Sequence, residues 1–178
     1  IMSKSLLLEC VYKTKSENEY KKISAQMNSE KICSPLMASI QNHAAIRYGV
    51  PDENSFCRDP LRFVKRYSLV TSNRIHKSDT KKILQEVSGL EASMQPLIKS
   101  GIQTAGNIFA SRNPSIKKIA KVIKDYVELY REEHSNSPEG FICRWPKKSI
   151  LYGWLINMDK GGALGLHMHK DGWISGSL

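Results

Sequence analysis

The hydrophobic period of this chain changes once, at Pro138-Glu139-Gly140, and that change limits the fold more than any other feature of the sequence. Before it, apolar residues recur at helical spacing. After it they alternate, and β-branched and aromatic residues take over. The reading is α+β: a helical region over residues 1–138, followed over 139–178 by antiparallel strands. With 178 residues and 40% hydrophobic content, the chain can build one sizeable core, or a small core with a helical appendage.

Two helices carry their own punctuation. Ser34-Pro35 supplies an N-cap and an N1 proline, Leu36, Met37, Ile40 and Ala44 follow on one face, and Gly49 with Pro51 marks the stop. Asn113-Pro114 repeats the start signal, and Ile116, Ile119, Ala120, Ile123, Val127 and Tyr130 form the apolar stripe of a long amphipathic helix. Its charges oppose the macrodipole, with Lys117, Lys118, Lys121 and Lys124 early and Glu128, Glu132 and Glu133 late. Packing must therefore hold it. Further helical patterns cover 5–12, 16–28 and 79–90, and no repeat period emerges.

In the second region, Phe141 to Trp145 and Ile150 to Met158 read as strands. Asp159-Lys160-Gly161-Gly162 is a turn signal that would send the next strand back antiparallel. That third strand would set Leu164, Leu166 and Met168 on one face and Gly165, His167 and His169 on the other. A fourth would start at Trp173, with no partner beyond Leu178. Imidazoles at i and i+2 of a strand can reach one divalent ion, and Asp171 nearby could add the oxygen donor of a 2-His-1-carboxylate site. A solvated or hydrogen-bonded histidine pair explains the same spacing.

The stretch Leu151 to Met158, the Gly161-Gly162 turn, His167-Met168-His169 and Trp173 to Ser177 together resemble the 2-oxoglutarate-Fe(II) oxygenase family. There, an HxH element precedes a hydrophobic-Ser-Gly strand of a double-stranded β-helix. SPLMASIQNHAAIRYG, ENSFCRDPLRFV and MQPLIKSGIQTAGNIF look like the region before that domain in bacterial members that carry tetratricopeptide repeats. The likeness covers most of the chain from about residue 30. It implies a partial double-stranded β-helix, or jelly roll, over 139–178 and dioxygenase chemistry of the hydroxylase type. Fe(II) would be held on one face by protein ligands and chelated by 2-oxoglutarate as cosubstrate, with O2 taking a remaining site. By position His167 is the first iron ligand. His169 stands where the wider superfamily has Asp, while His169-Lys170-Asp171 offers HxD in a shifted register, so the second ligand is His169 or Asp171. The face shared by Tyr152 and Trp154 would look into the cosubstrate cavity; packing into the core is the plainer role for that pair.

The family's distal histidine, and the basic residue that pairs with the far carboxylate of 2-oxoglutarate, have no counterpart here. Together with the opening Ile1-Met2, this leads to the expectation that both ends are cut and that the fragment alone is inactive. A cupin is the nearest competing metal fold, and Gly161, His167 and His169 suit its first motif. Trp173 and Ile174, however, stand where its glutamate belongs. From a different class comes a non-catalytic helical scaffold, in which basic helices bind a protein partner and the histidines are incidental.

The formal charge of +10 suits an anionic partner. Its lysines and arginines are dispersed and no nucleic-acid-binding signature accompanies them, so a solvated basic surface is the expectation and nucleic acid is not an expected partner. The substrate, small molecule or protein, is open. Cys10, Cys33, Cys57 and Cys143 are too widely spaced for a zinc pair, which fits reduced thiols in a cytoplasm. The apolar run at Ser5 to Val11 is broken by Glu9 before it reaches the length of a signal peptide or a membrane span. His43 reads as a packed histidine and Cys57 as a structural thiol. Gln103 to Asn107 reads equally as a channel lining or as a structured loop.

Overall fold

The computed structural model describes residues 2–14, 16–69, 72 and 75–178, so Ile1 lies outside it. The chain is α+β, with helices leading and a small, open, three-stranded antiparallel sheet following. Its residues form two compact units, each assembled from segments distant in sequence.

The first unit takes residues 1–64, 134–145 and 169–178. Helices α1 (Met2–Thr14), α2 (Glu17–Ser29) and α3 (Pro35–Tyr48) enclose Leu8, Tyr20, Met27, Leu36, Met37, Ile40 and Ala44. The α3 boundaries follow the sequence signals: the Ser34 hydroxyl accepts from the Met37 amide, Pro35 occupies N1, and Gly49 closes the helix in the left-handed region at φ 63°. Gln41 is 3% exposed, yet it donates to Ser24 Oγ (3.1 Å) and Asn28 Oδ1 (2.9 Å), so the core loses little by burying an amide. The remaining layer of this unit is aromatic. Phe141 packs on Phe56 and Phe63, and Trp173 stands edge-on to Phe56 with its indole N–H donating to the Phe141 carbonyl (2.8 Å).

That layer overrides the strand expected at Phe141 to Trp145. Residues Gly140–Cys143 form a single helical turn, α6, whose start is pressed against another backbone. A Cβ at Gly140 would lie 2.1 Å from the Ser55 carbonyl oxygen, and the Phe141 amide donates to Phe56 O. β-Propensity expresses fit to a pleated surface. Here the aromatic rings fit a core that a helical turn reaches.

The second unit takes residues 65–133 and 146–168. Helices α4 (Lys77–Ser88) and α5 (Pro114–Glu133) pack through Ile83, Val87 and Ile116, joined by Ile108, Phe109, Ile119 and Leu155. Asn113 Oδ1 caps α5 by accepting from the Ser115 and Ile116 amides. The sheet runs in the order β1 (Ala92–Ser93), β2 (Ile98–Thr104), β3 (Ile156–Leu164). Strand β2 falls in the region expected to be helical and overlaps the loop-or-channel reading only at Gln103 and Thr104; IKSGIQT lacks the alternation that announces a strand.

Asp159 to Gly162 do not reverse the chain. Met158 pairs with Gly101 and Ala163 with Lys99, so the four residues between them stand against Ser100 alone as a bulge inside β3. Gly161 at φ 81° and Ser100 at φ 50° take up the left-handed backbone this requires. The turn chemistry read from DKGG is real, but it is spent on bending one strand. Consequently β3 ends at Leu164, and neither the third strand expected through His169 nor the fourth expected from Trp173 forms.

Candidate metal-binding segment

Past the end of β3, residues 165–169 run without regular secondary structure. The shared strand face expected for His167 and His169 is therefore absent, since alternation of side chains requires a strand. His167 is exposed, and its Nδ1 lies 2.8 Å from the Gly165 carbonyl oxygen. A carbonyl can only accept, so in the neutral ring Nδ1 carries the proton and Nε2 the lone pair. Many metal-binding histidines are oriented by such a bond.

The division between the two units falls after Met168, so His167 belongs to the second unit while His169 and Asp171 belong to the first. His169 is half-buried at a turn, its carbonyl accepting from the Gly172 amide, and Asp171 is exposed. Between these two residues Lys170 reaches Glu9 on α1, donating to both carboxylate oxygens at 2.6 and 2.9 Å. Lys13 pairs with the same carboxylate at 2.8 Å. The hydrogen bonds from Lys13, and after it from Lys170, hold the Glu9 carboxyl below its ordinary value. Lys170 and Trp173 thus anchor the end of the chain to the helical unit. No local signal in the sequence connects Lys170 with a residue 161 positions away.

Two imidazoles and a carboxylate are suitable donors for Fe(II). Among the described residues, however, no three of His, Cys, Asp and Glu come together as a metal site. The described residues do not complete an iron centre.

Tyr152 is 58% exposed and edge-on to Trp154, with ring centroids 5.9 Å apart, so core packing is not its role. Its segment is held by Asn107 and Thr104. Asn107 Oδ1 accepts from Gly153 N (3.0 Å) and Phe109 N (3.1 Å) while its Nδ2 donates to Leu151 O (3.0 Å), and Thr104 Oγ1 accepts from Leu155 N. Between the two readings of Gln103 to Asn107, channel lining and structural loop, these bonds favour the second. Backbone bonds from Thr104 N to Leu155 O (3.0 Å) and from Ile108 N to Gly153 O (2.9 Å) hold the same segment.

All four cysteines are free. Burial, and after it the Glu139 carboxylate, push the Cys57 thiol up to about 11, so its thiolate at neutral pH is scarce and the structural reading of this cysteine holds. Iodoacetamide should label Cys57 about a hundredfold more slowly in the native protein than in the urea-unfolded chain, as about two pH units of thiolate depletion require. Peptide mapping that finds equal rates would contradict that environment.

The chain matches no known protein family, no curated protein and no solved structure. No helix among the described residues is long and apolar enough to cross a membrane.

Proposed function

We propose that this chain is part of an Fe(II)/2-oxoglutarate-dependent dioxygenase of the hydroxylase type, to which it contributes His167 as an iron ligand. The observation that supports the reading best is the bond from His167 Nδ1 to the Gly165 carbonyl, which in the neutral ring puts the lone pair, the electrons a metal would take, on Nε2 of a residue in an exposed segment. In this reading residues 139–178, with β3 among them, belong to a partial double-stranded β-helix. His169 or Asp171 is the second ligand, and the exposed Tyr152 phenol is a contact for the cosubstrate. The distal histidine and the basic residue for 2-oxoglutarate have to come from further chain. Four free thiols suit a reducing, cytoplasmic compartment. The substrate is a small molecule or a protein.

Anaerobic calorimetric titration with Co(II), a redox-quiet stand-in for Fe(II), tests the reading on the 178-residue chain. One equivalent should bind, and His167→Ala should weaken binding more than about tenfold because a nitrogen donor is gone. His169→Ala and Asp171→Ala identify the second ligand by which of them has the larger effect. Absence of binding, or equal binding by the His167→Ala, His169→Ala double variant, would return the pair to incidental histidines.

A further inference from the structure

Within the helical unit, a cavity of about 230 Å³ is walled by Tyr20 and Ser24 of α2, Gln41 of α3, and Val50, Pro51 and Glu53 just past α3. It is smaller than the roughly 300–1,000 Å³ of sites that hold drug-sized ligands, so its ligand is small. Gln41 is 3% exposed, and a chain of hydrogen bonds fixes which way its amide points. A carboxylate only accepts, so Asn28 Nδ2 is the donor to Glu53 Oε2 (2.7 Å), and Asn28 Oδ1 is left as an acceptor. Gln41 Nε2 therefore gives one hydrogen to Asn28 Oδ1 (2.9 Å) and the other to Ser24 Oγ (3.1 Å). Both amide hydrogens are used inside the wall. The carbonyl Oε1 accepts from no described residue and stays open to solvent, so in a residue this buried it faces the cavity.

Glu53 is the second open acceptor. Its Oε1 accepts from no described residue, and no described lysine or arginine pairs with it. Lys21 lines the same cavity but is held by Glu17 at 2.6 Å. Burial, and behind it the Asp52 and Glu53 carboxylates, raise the Tyr20 phenol above its ordinary value, so a negative field reaches this wall. In a chain of formal charge +10 the cavity is locally electronegative.

We propose that this cavity binds a protonated primary amine on a short aliphatic stem, with the ammonium between Gln41 Oε1 and the Glu53 carboxylate and the stem along Val50 and Pro51. An ammonium carries three donors and no acceptor, which matches a wall whose open groups are acceptors. A carboxylate or phosphate would meet the charge of Glu53 with Lys21 already engaged. An alcohol could bond Gln41 but would gain nothing from the carboxylate charge.

Two-dimensional ¹H–¹⁵N NMR of the whole chain, titrated with propylammonium chloride at constant ionic strength, tests the proposal. The Gln41 side-chain amide should shift along a saturating curve with a Kd on the order of 1 mM, an affinity open to so small a ligand. Propionate and 1-propanol should bind at least about tenfold more weakly, and Glu53→Gln should weaken propylammonium by about tenfold, the worth of a charge-assisted hydrogen bond. That variant keeps an oxygen to accept from Asn28, so its circular dichroism should match wild type. Lys21→Gln should leave binding in place. Nα-acetyl-lysine methylamide identifies the source of the amine: tighter binding than propylammonium assigns it to a lysine side chain, weaker binding to a free small molecule. Shifts that do not saturate would overturn the proposal, as would equal binding of propionate or propanol, or a folded Glu53→Gln variant that binds as wild type does.

Discussion

Replacing Gly140 by alanine is expected to lower the unfolding midpoint by roughly 6–12 °C, the largest single-methyl effect in the chain. The added carbon would stand 2.1 Å from the Ser55 carbonyl oxygen and 2.9 Å from Cys33 Sγ. Neither neighbour yields cheaply: one is backbone, and the other belongs to a buried cysteine. Separating them means moving α6, and with it Phe141, which packs on Phe56 and Phe63 and receives the indole N–H of Trp173. Overpacking of this kind costs about 3 kcal/mol, and each kcal/mol moves the midpoint of a chain this long by roughly 2–4 °C. Gly176→Ala is the control, since nothing lies within 4 Å of its added carbon. Thermal unfolding followed by circular dichroism should separate the two variants clearly; equal midpoints would mean that α6 does not sit against Ser55.

The second large effect is expected at Asn107. Alanine there removes the acceptor for the Gly153 and Phe109 amides and the donor to the Leu151 carbonyl. At about 1 kcal/mol for each lost hydrogen bond, stability should fall by roughly 2–3 kcal/mol. Asn107→Asp keeps the acceptor and loses only the donated bond, so it should cost about 1 kcal/mol. Urea unfolding gives the free energies, and hydrogen exchange gives the location, with the Gly153 amide losing protection in the alanine variant alone. An aspartate variant as unstable as alanine would show that the two accepted bonds are not the main contribution. Gly153 also lies where a Cβ would press on the Phe109 ring at 2.4 Å, so the segment carrying Tyr152 is held by close approach as well as by hydrogen bonds.

The candidate site was legible in its residue types and illegible in its arrangement. His167, His169 and Asp171 stand out because few residues have metal-donor chemistry, and composition alone brings them forward. Their expected common face rested on the third strand, and the strand depended on DKGG being a hairpin turn. Both outcomes satisfy the same glycine-rich backbone. A hairpin needs residues after Gly162 to pair back on β3, whereas a bulge needs β2 to supply partners on either side, and β2 does so from Ile98 to Gln103. Lys170 was unremarkable in sequence, yet its pairing with Glu9 and the Trp173 contact draw the last residues of the chain into the helical unit.

What the sequence determined by itself were the features whose causes lie within one turn of helix. Ser34-Pro35 and Gly49 bound α3, Asn113-Pro114 starts α5, and the apolar stripe of α5 is buried at Ile116 and half-buried along the rest, while the other buried residue, Val122, lies outside that stripe. The physical reason is that capping bonds and helical periodicity involve residues no more than about four positions apart. The tertiary structure alone decided whether 141–143 is strand or helix, where β3 ends, and which unit takes His169. Those outcomes turn on partners dozens of positions away: Ser55 beneath Gly140, β2 beside β3, and Glu9 against Lys170. Backbone and charged groups buried at such places must find some partner, and local sequence does not specify which one the folded chain brings near.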